Sequence, residues 1–384
     1  MKRFDVAVVG GGPAGCAAAA AAARLGRTVV LFSSASAEPG IGEGAAPGTA
    51  QLIAEIFGDE AKAFTPDAHL RCPSIVSAWG QPEPSVVEHM LNPLGDAWNL
   101  DRERFDADLR SGAERLGVDL RSDARLTEAR RDAAGWTIAF ALPEGGTHSL
   151  SARVIVDASG RGARVARRRG ARKYHLDRLV ALWTVWAAGE RDRSASMYIE
   201  AVRRGWWYSV LLPRQRRMVV HLTDADLLPA DPRERADLAE SARRLELIGP
   251  ALSDVRQVLD RPNVCSARSA WLDRFGGTAW LCAGDAACTF DPLSGRGIVA
   301  ALLTGRTAGL AADGLLAGSA GEAAVNEHHD ALGAMLADAL IERKDVYRAE
   351  ARWPDAEFWS RRHSLTEGTS ETQALPEVAE VHAD

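Results

Sequence analysis

Phe4-Asp5-Val6-Ala7-Val8-Val9-Gly10-Gly11-Gly12-Pro13-Ala14-Gly15, with the alanine-rich run Cys16–Leu25, Gly26 and Thr28-Val29-Val30-Leu31-Phe32 behind it, decides the fold. Val6 to Val9 is a continuous apolar run, the pattern of a strand buried on both faces. The alanine run reads as a helix closed by Gly26, and Thr28–Phe32 as a second strand. Strand, glycine turn, helix and strand form the context in which Gly-x-Gly-x-x-Gly marks a dinucleotide site on a Rossmann-like α/β domain. Gly10 permits the tight turn, Gly12 lets backbone N–H groups approach a pyrophosphate, and Gly15 lets the helix lie close to the sheet. The positive end of that helix then points at the phosphates. The second strand of such a unit usually ends in a carboxylate that grips a ribose hydroxyl. Here the position is Ser33, a weaker partner.

At 384 residues the chain exceeds what one core usually holds, so two intimately joined domains are expected. A formal net charge of −6 argues against general nucleic-acid binding. Cys16, Cys72, Cys265, Cys282 and Cys288 are scattered, with no Cys-x-x-Cys and no histidine at metal spacing. That pattern implies no metal site and suits a reducing cytoplasm. Met1-Lys2-Arg3 runs almost directly into a strand, so no secretory signal is read, and the apolar runs break short of a membrane span. Eleven tryptophans against four tyrosines suit either an aromatic pocket or buried packing.

Further along, Gly40-Ile41-Gly42-Glu43-Gly44-Ala45-Ala46-Pro47-Gly48 is irregular backbone that can pass close to a ligand. Its one charge, Glu43, either touches a cofactor or is a solvated carboxylate. A helix follows to Phe57. Ser74–Gly80 alternates as a strand, and Asp101 is the N-cap of a helix that runs to about Gly117. Trp136–Phe140 and Ser149–Val156 form a meander around Gly145-Gly146. That strand ends in Asp157-Ala158-Ser159-Gly160-Arg161, a carboxylate where a buried strand meets a glycine turn. The basic cluster Arg161, Arg164, Arg167, Arg168, Arg169, Arg172 and Lys173 is a solvated face, a dock for an acidic partner, or a grip on the phosphate of NADPH. Leu179–Leu222 reads as an antiparallel sheet in which Trp206 and Tyr208 share one face and Trp207 takes the other. Asp231–Ile248 reads as a helix. The strand Thr278–Ala283 ends in Gly284-Asp285, and Asp291-Pro292-Leu293-Ser294-Gly295-Arg296-Gly297 leads into an apolar helix from Ile298. Glycines just before a helix again aim free N–H groups at an electron-rich group. A second long helix runs from Glu322 to Arg352 with Val325, Leu332, Leu336 and Leu340 on one stripe, and the tail from Thr366 is polar and acidic, expected to be disordered.

Taken together, Gly10–Gly15, Asp157–Arg161, and Gly284-Asp285 with Pro292 and Gly295-Arg296-Gly297 resemble the single-component FAD monooxygenases of the p-hydroxybenzoate hydroxylase type and the related flavin-dependent tryptophan halogenases. The resemblance reaches to about Arg362. It implies that Gly10, Gly12, Pro13, Ala14 and Gly15 hold the FAD pyrophosphate and that Ser33 sits at the adenosine ribose. Arg104, in the Arg-x-x-Phe-Asp helix, would meet the phosphates or ribityl chain, and Leu126 would lie beside the adenine. Asp157, Gly284 and Asp285 would serve the ribityl and phosphate region. Gly295, Arg296, Gly297 and Ile298 would present N–H groups to the flavin pyrimidine edge, which becomes negative on reduction, with Pro292 beside the ring. Gly42-Glu43-Gly44 is similar to the halogenases' second glycine loop. Two features depart from the halogenases: no lysine stands between Lys62 and Lys173, and Gly205–Pro213 does not match their Trp-x-Trp-x-Ile-Pro motif. The expected chemistry is therefore oxygenation through an FAD C4a-hydroperoxide, with O2 as oxidant and NAD(P)H or a partner flavin reductase as electron source.

Ser77-Ala78-Trp79-Gly80, Gly205–Ser209, Asp291–Ser294 and Arg352-Trp353-Pro354 with Phe358-Trp359 look most like a narrower group, flavoproteins that hydroxylate a tryptophan within a maturing tryptophylquinone enzyme. The implied substrate is a tryptophan in a peptide or protein, the alternative a small free aromatic that is hydroxylated or halogenated. A flavoprotein without turnover is a third reading. Trp79, Trp206, Tyr208, Pro292 and Glu43 are the candidates for the pocket over the ring, and His69, Glu43 and Glu200 for an acid–base role. The expected organisation is an FAD-binding domain in three parts (1–70, 99–173, 271–320), a substrate domain (71–98 and 174–270), a helical segment (321–365) and the tail (366–384).

Overall fold

The computed structural model describes residues 2–34, 43–58, 66–189, 194–253, 255–258 and 261–364. The expected disorder of the tail, the glycines Gly40 and Gly42, and Lys62 therefore lie outside the described residues. The first strand, Arg3–Val9, runs parallel between Val29–Phe32 and Thr147–Asp157. Asp119–Arg121 and Trp280–Cys282 extend the sheet on either side, also in parallel. Val6 and Val8 face one apolar cluster while Ala7 and Val9 face another, so both sides of the strand are covered, as its continuous apolar run requires. Thr147–Asp157 also carries the antiparallel meander, Gly135–Ala141 and then Arg125–Asp132.

The helix Pro13–Arg24 is buried from Ala14 to Ala22. Against it, running in the same direction, lies Gly297–Ala317. A methyl group on Gly305 would stand 2.2 Å from the Ala14 carbonyl oxygen, and one on Gly309 would stand 2.5 Å from that of Ala18. Small residues thus bring two backbones together and align two helix starts at one end of the sheet. By length and composition Gly297–Ala317 is apolar enough to cross a membrane, unlike the sequence expectation, but most of it is buried inside the protein.

A second sheet has the order Asn263–Ser266, Leu179–Ala187, Arg216–Asp224, Gly205–Leu212, Met197–Val202, Ser74–Ala78, Ser85–Glu88. It is antiparallel except where Met197–Glu200 lies parallel to Ile75–Ala78. The inserted segment arrives from a distant part of the chain, so no hairpin forces it to run the other way. Trp206 and Tyr208 share the face covered by the C-terminal helices, and Trp207 stacks on His221 on the other, 4.4 Å between ring centres. The helix Glu322–Ala349 buries Val325, Leu332 and Leu336, and Glu357–Ser364 docks through buried Arg362, whose Nη2 lies 2.9 Å from Asp224.

The helix expected over Asp231–Ile248 is broken. It spans Pro232–Glu240 and gives way to 3-10 turns at Ser241–Arg244 and Gly249–Leu252. The buried Glu200 carboxylate accepts from the N–H groups of Glu246, Leu247 and Ile248 at 2.9, 3.0 and 3.2 Å. Those donors are thereby unavailable to a continuing helix.

Candidate functional site

Three turns meet at the carboxyl ends of the parallel strands. Gly10 has φ +119°, and a Cβ there would lie 2.1 Å from the Ala158 carbonyl oxygen, so the first turn rests directly on the second. Gly284 touches Ala14 in the same way, which sets Asp285 beside the first helix's opening turn. A Cβ on Gly15 would lie 1.8 Å from the Gly10 oxygen, and this is the close helix–sheet approach expected of it. Gly12, by contrast, faces open space, and the helix behind it has no side-chain cap. Its orphan N–H groups, Ala14 and Gly15 among them, aim at that space.

The second helix start has the same character. Gly295 (φ +61°) and Gly297 face open space, and Gly297–Ala317 also lacks a side-chain cap. Gly305 is the residue that meets Ala14. The second helix starts eight residues before that contact and the first one residue before it, so the second projects about 10 Å further at 1.5 Å per residue. Two uncapped positive helix ends, one set back from the other, form a cradle that fits a group with a phosphate at one point and an electron-accepting ring beyond it. Arg296, Ile298 and the Pro292–Ser294 turn border the outer end. Ser33 closes the inner end: a Cβ on Gly11 would lie 2.4 Å from its hydroxyl. Leu126 is buried with Phe32 and Phe140 beyond it, and the Ala124 N–H between them donates to the Ser33 carbonyl at 3.0 Å.

Several residues singled out from the sequence have other work. The Asp157 carboxylate is wholly buried. It accepts from Ser159 at 3.0 Å and from Val165 and Ala166 at 2.8 and 2.9 Å, so it caps the helix Arg164–Arg168 rather than reaching a ligand. Arg104 is paired with Asp108 on the face of its helix opposite Arg102, Asp106 and Arg110. Arg110 is the residue that reaches the glycine turn, its Nη1 3.3 Å from the Gly11 oxygen. Sequence reasoning missed it, although the four-residue spacing Arg102, Asp106, Arg110 was there to be seen. Glu200 is spent as described, and the His69 Nδ1 accepts from the Asp101 N–H at 3.1 Å while burial lowers its pKa. Trp206 is 1% exposed and donates to the Tyr347 hydroxyl at 3.2 Å, and Trp79 donates to the Val346 oxygen at 2.8 Å. Both belong to an aromatic core behind the site, not to an open pocket.

Glu43 and Tyr208 do come together. Glu43 is 3% exposed, and the Tyr208 hydroxyl donates to its Oε2 at 3.4 Å. Burial, then the Glu43 charge, raise the Tyr208 pKa well above the ordinary phenol value, so the hydroxyl stays protonated. Leu293 and Tyr208 both pack against the apolar cluster that covers the second sheet. Buried Asp291 holds that turn. Its Oδ1 accepts from the Leu293 N–H at 3.1 Å, and its Oδ2 accepts from the Tyr347 hydroxyl at 3.0 Å and Arg343 at 3.3 Å. At the other rim Asp285 is half-exposed with Arg161 Nε 3.4 Å away, and the Lys173 Nζ donates to the Arg161 oxygen at 2.7 Å. Burial, then Arg161, lower the Lys173 pKa.

The family profile described as an FAD binding domain matches residues 3–331. A putative FAD-dependent oxidoreductase, LodB of Marinomonas mediterranea, is 25% identical over 382 residues, covering 95% of this chain and 98% of that one. The myxobacterial chondrochloren halogenase CndH superposes with a TM-score of 0.86 at 25% identity, over 97% of this chain and 88% of its own. The peptidyl tryptophan dihydroxylase QhpG, described as essential for tryptophylquinone cofactor biogenesis, superposes with a TM-score of 0.77 at 25% identity, over 94% and 78%.

Proposed function

The chain belongs to the FAD binding domain family and is an FAD-dependent oxidoreductase of the monooxygenase and halogenase type, and on that premise we propose that it hydroxylates an electron-rich aromatic, the side chain of a tryptophan within a peptide or protein. Gly12, Ala14 and Gly15 hold the FAD pyrophosphate, Ser33 lies at the adenosine end, and Gly295, Gly297 and Ile298 offer N–H groups to the ring. FAD, reduced by NAD(P)H or a partner reductase, supplies the electrons that activate O2. The chain's part is to hold, orient and exclude water. The Pro292 turn, pinned by Asp291, and the Glu43–Tyr208 pair border the space where the aromatic lies.

The observation that carries the peptide reading is an exposed apolar run on a loop joined to the segment that carries Glu43. Val86, Val87, Met90, Leu91 and Leu94 are 52 to 89% exposed within nine residues. Their loop is tied to the Glu43 segment, for the Gly48 N–H donates to the Leu94 oxygen at 2.8 Å. A contiguous apolar surface beside a site marks a place where another molecule lies, and a buried pocket for a small free aromatic has no need of one. The likeness to QhpG supports the same reading, and no lysine between Lys62 and Lys173 supports oxygen transfer over halogen transfer. The test is mass spectrometry of tryptophan-containing peptides incubated with the protein, reduced FAD, O2 and chloride. A gain of one or two oxygens is expected. A chlorinated product would move the assignment to the halogenases, and turnover of free aromatics alone to a small-molecule hydroxylase.

A further inference from the structure

A line of redox-active rings leads from the site wall to the surface. Tyr208, beside Glu43, has its ring centre 6.1 Å from Trp206; Trp206 lies 6.2 Å from Trp79, Trp79 5.4 Å from Trp359, and Trp359 6.0 Å from Trp353, stacked at 29°. Tyr347 joins the line from the side, 5.9 Å from Trp79 and 6.0 Å from Trp359, its hydroxyl accepting from the Trp206 indole at 3.2 Å. Of the chain's eleven tryptophans only Trp79 and Trp353 are not buried, and both stand on this line. Each of its two tyrosines has a carboxylate within reach of the phenol: Glu43 at 3.4 Å for Tyr208 and Asp291 at 3.0 Å for Tyr347.

Ordinary packing accounts for aromatic pairs at such spacing. Burial demands an acceptor for each phenol, and at both tyrosines of this line the acceptor is a carboxylate, which can take the proton as well as the hydrogen bond. A phenol gives up an electron readily only when its proton has somewhere to go, and a buried carboxylate acceptor supplies that place.

We propose that Tyr208, Trp206, Trp79, Tyr347, Trp359 and Trp353 form an electron relay that draws stray oxidising equivalents out of the site. An oxygen-derived one-electron oxidant, formed when oxygen is activated without substrate, takes one electron from Tyr208, and the Tyr208 proton passes to Glu43. Trp206 returns an electron to the tyrosyl as Glu43 returns the proton. The vacancy then moves through Trp79 and Trp359 to Trp353, where a soluble thiol or ascorbate-class reductant fills it. One oxidant is reduced by one electron and one surface reductant is oxidised by one. Tyr347, able to pass its proton to Asp291, is a resting point on the way. The relay's purpose rests on the proposed oxygen chemistry, but its test does not.

The test is pulse radiolysis of the full chain, with and without FAD, using azide radicals to oxidise the accessible tryptophans. Oxidation then enters at Trp353 and Trp79. The expected result is a first-order, concentration-independent conversion of tryptophanyl into tyrosyl absorption. That phase is lost in the Tyr208→Phe/Tyr347→Phe double variant, whose tryptophanyl signal decays only by second-order encounters. Asp291→Asn keeps every ring and removes one proton acceptor, so its tyrosyl yield falls; it also serves if the double variant does not fold. Persistence of the first-order phase in the double variant, its absence from the parent, or an unchanged yield in Asp291→Asn would each overturn the relay. None of these readouts depends on which substrate, if any, is hydroxylated.

Discussion

Gly12 and Gly15 stand three residues apart, and their replacement by alanine has opposite consequences. The methyl group of Gly15→Ala would lie 1.8 Å from the Gly10 oxygen and 3.0 Å from its carbon, against 3.4 Å for ordinary contact. The neighbour is backbone, so the helix Pro13–Arg24 must retreat from the first turn by more than an ångström. Overpacking of that kind costs about 1–3 kcal/mol even where a core can adjust, and here the helix also abuts Gly305 and Gly309. Gly12→Ala meets nothing within 4 Å, at an ordinary φ of −85°. Losing glycine at an N-cap costs roughly 0.5–1 kcal/mol, and the stiffer unfolded chain offsets about as much. Its stability should therefore match the parent. Its methyl group, however, fills the space through which N–H groups reach a phosphate. Displacing one charge-assisted hydrogen bond costs about 1.5–3 kcal/mol, so FAD affinity should fall roughly tenfold to a hundredfold. Urea unfolding of the FAD-free chain and fluorescence titration with FAD separate the two effects. Gly12→Ala binding FAD like the parent, or Gly15→Ala unfolding at the parent's midpoint, would refute the placement of the cradle.

Acid should destabilise the fold through two histidines. Burial lowers the pKa of His328 and of His221 to about 3, so each is neutral when folded but takes up a proton in the unfolded chain. Stability is full above about pH 6.5 and falls as pH drops from there towards 3, by about 2 kcal/mol per histidine between pH 6.5 and 5. Urea midpoints across that range measure the slope, and His328→Gln should flatten it. In the native protein Cys16, Cys72, Cys282 and Cys288 are buried with raised thiol pKa values, so a thiol reagent should label Cys265 alone until denaturant is added. Asp224→Ala strands the buried Arg362 guanidinium and should cost about 3–5 kcal/mol in chemical unfolding. Arg104→Ala should leave FAD affinity unchanged while Arg110→Ala weakens it, read by the same fluorescence titration.

The parallel sheet and its glycine turns were legible because their causes are local. Val6–Val9 declares a strand covered on both sides, and Gly15 answers a constraint set five residues away, at the Gly10 oxygen. The Asp101 cap was legible for the same reason, and its side chain does accept from the Arg104 N–H. What could not be read were the fates of polar and aromatic side chains, because their partners lie far along the chain. Glu200 is claimed by Glu246, Leu247 and Ile248, Trp206 by Tyr347, and Trp79 by Val346. Asp157 looked like a ligand because it ends a buried strand. Its actual partners, Val165 and Ala166, depend on the chain folding back after Gly160. The direction of Ser74–Ala78 beside Met197–Val202 was hidden likewise, since nothing in either segment records which way the other runs.

This division explains how one scaffold can serve relatives described as an oxidoreductase, a halogenase and a peptidyl tryptophan dihydroxylase. The cradle is made of backbone: glycines that permit contact, and helix starts whose N–H groups point outward. Backbone donors survive nearly any substitution that keeps the glycines, so cofactor binding persists at 25% identity. Chemistry and substrate choice then fall to side chains that the cradle does not constrain. On the function proposed above, those in this chain are Glu43 with Tyr208 and the Pro292 turn held by Asp291. The exposed apolar run from Val86 to Leu94 is joined to the Glu43 segment through the Gly48–Leu94 hydrogen bond. Exchanging that run for a polar sequence should therefore change which aromatics are accepted and leave FAD affinity untouched. A loss of both would mean that the exposed loop supports the cradle itself.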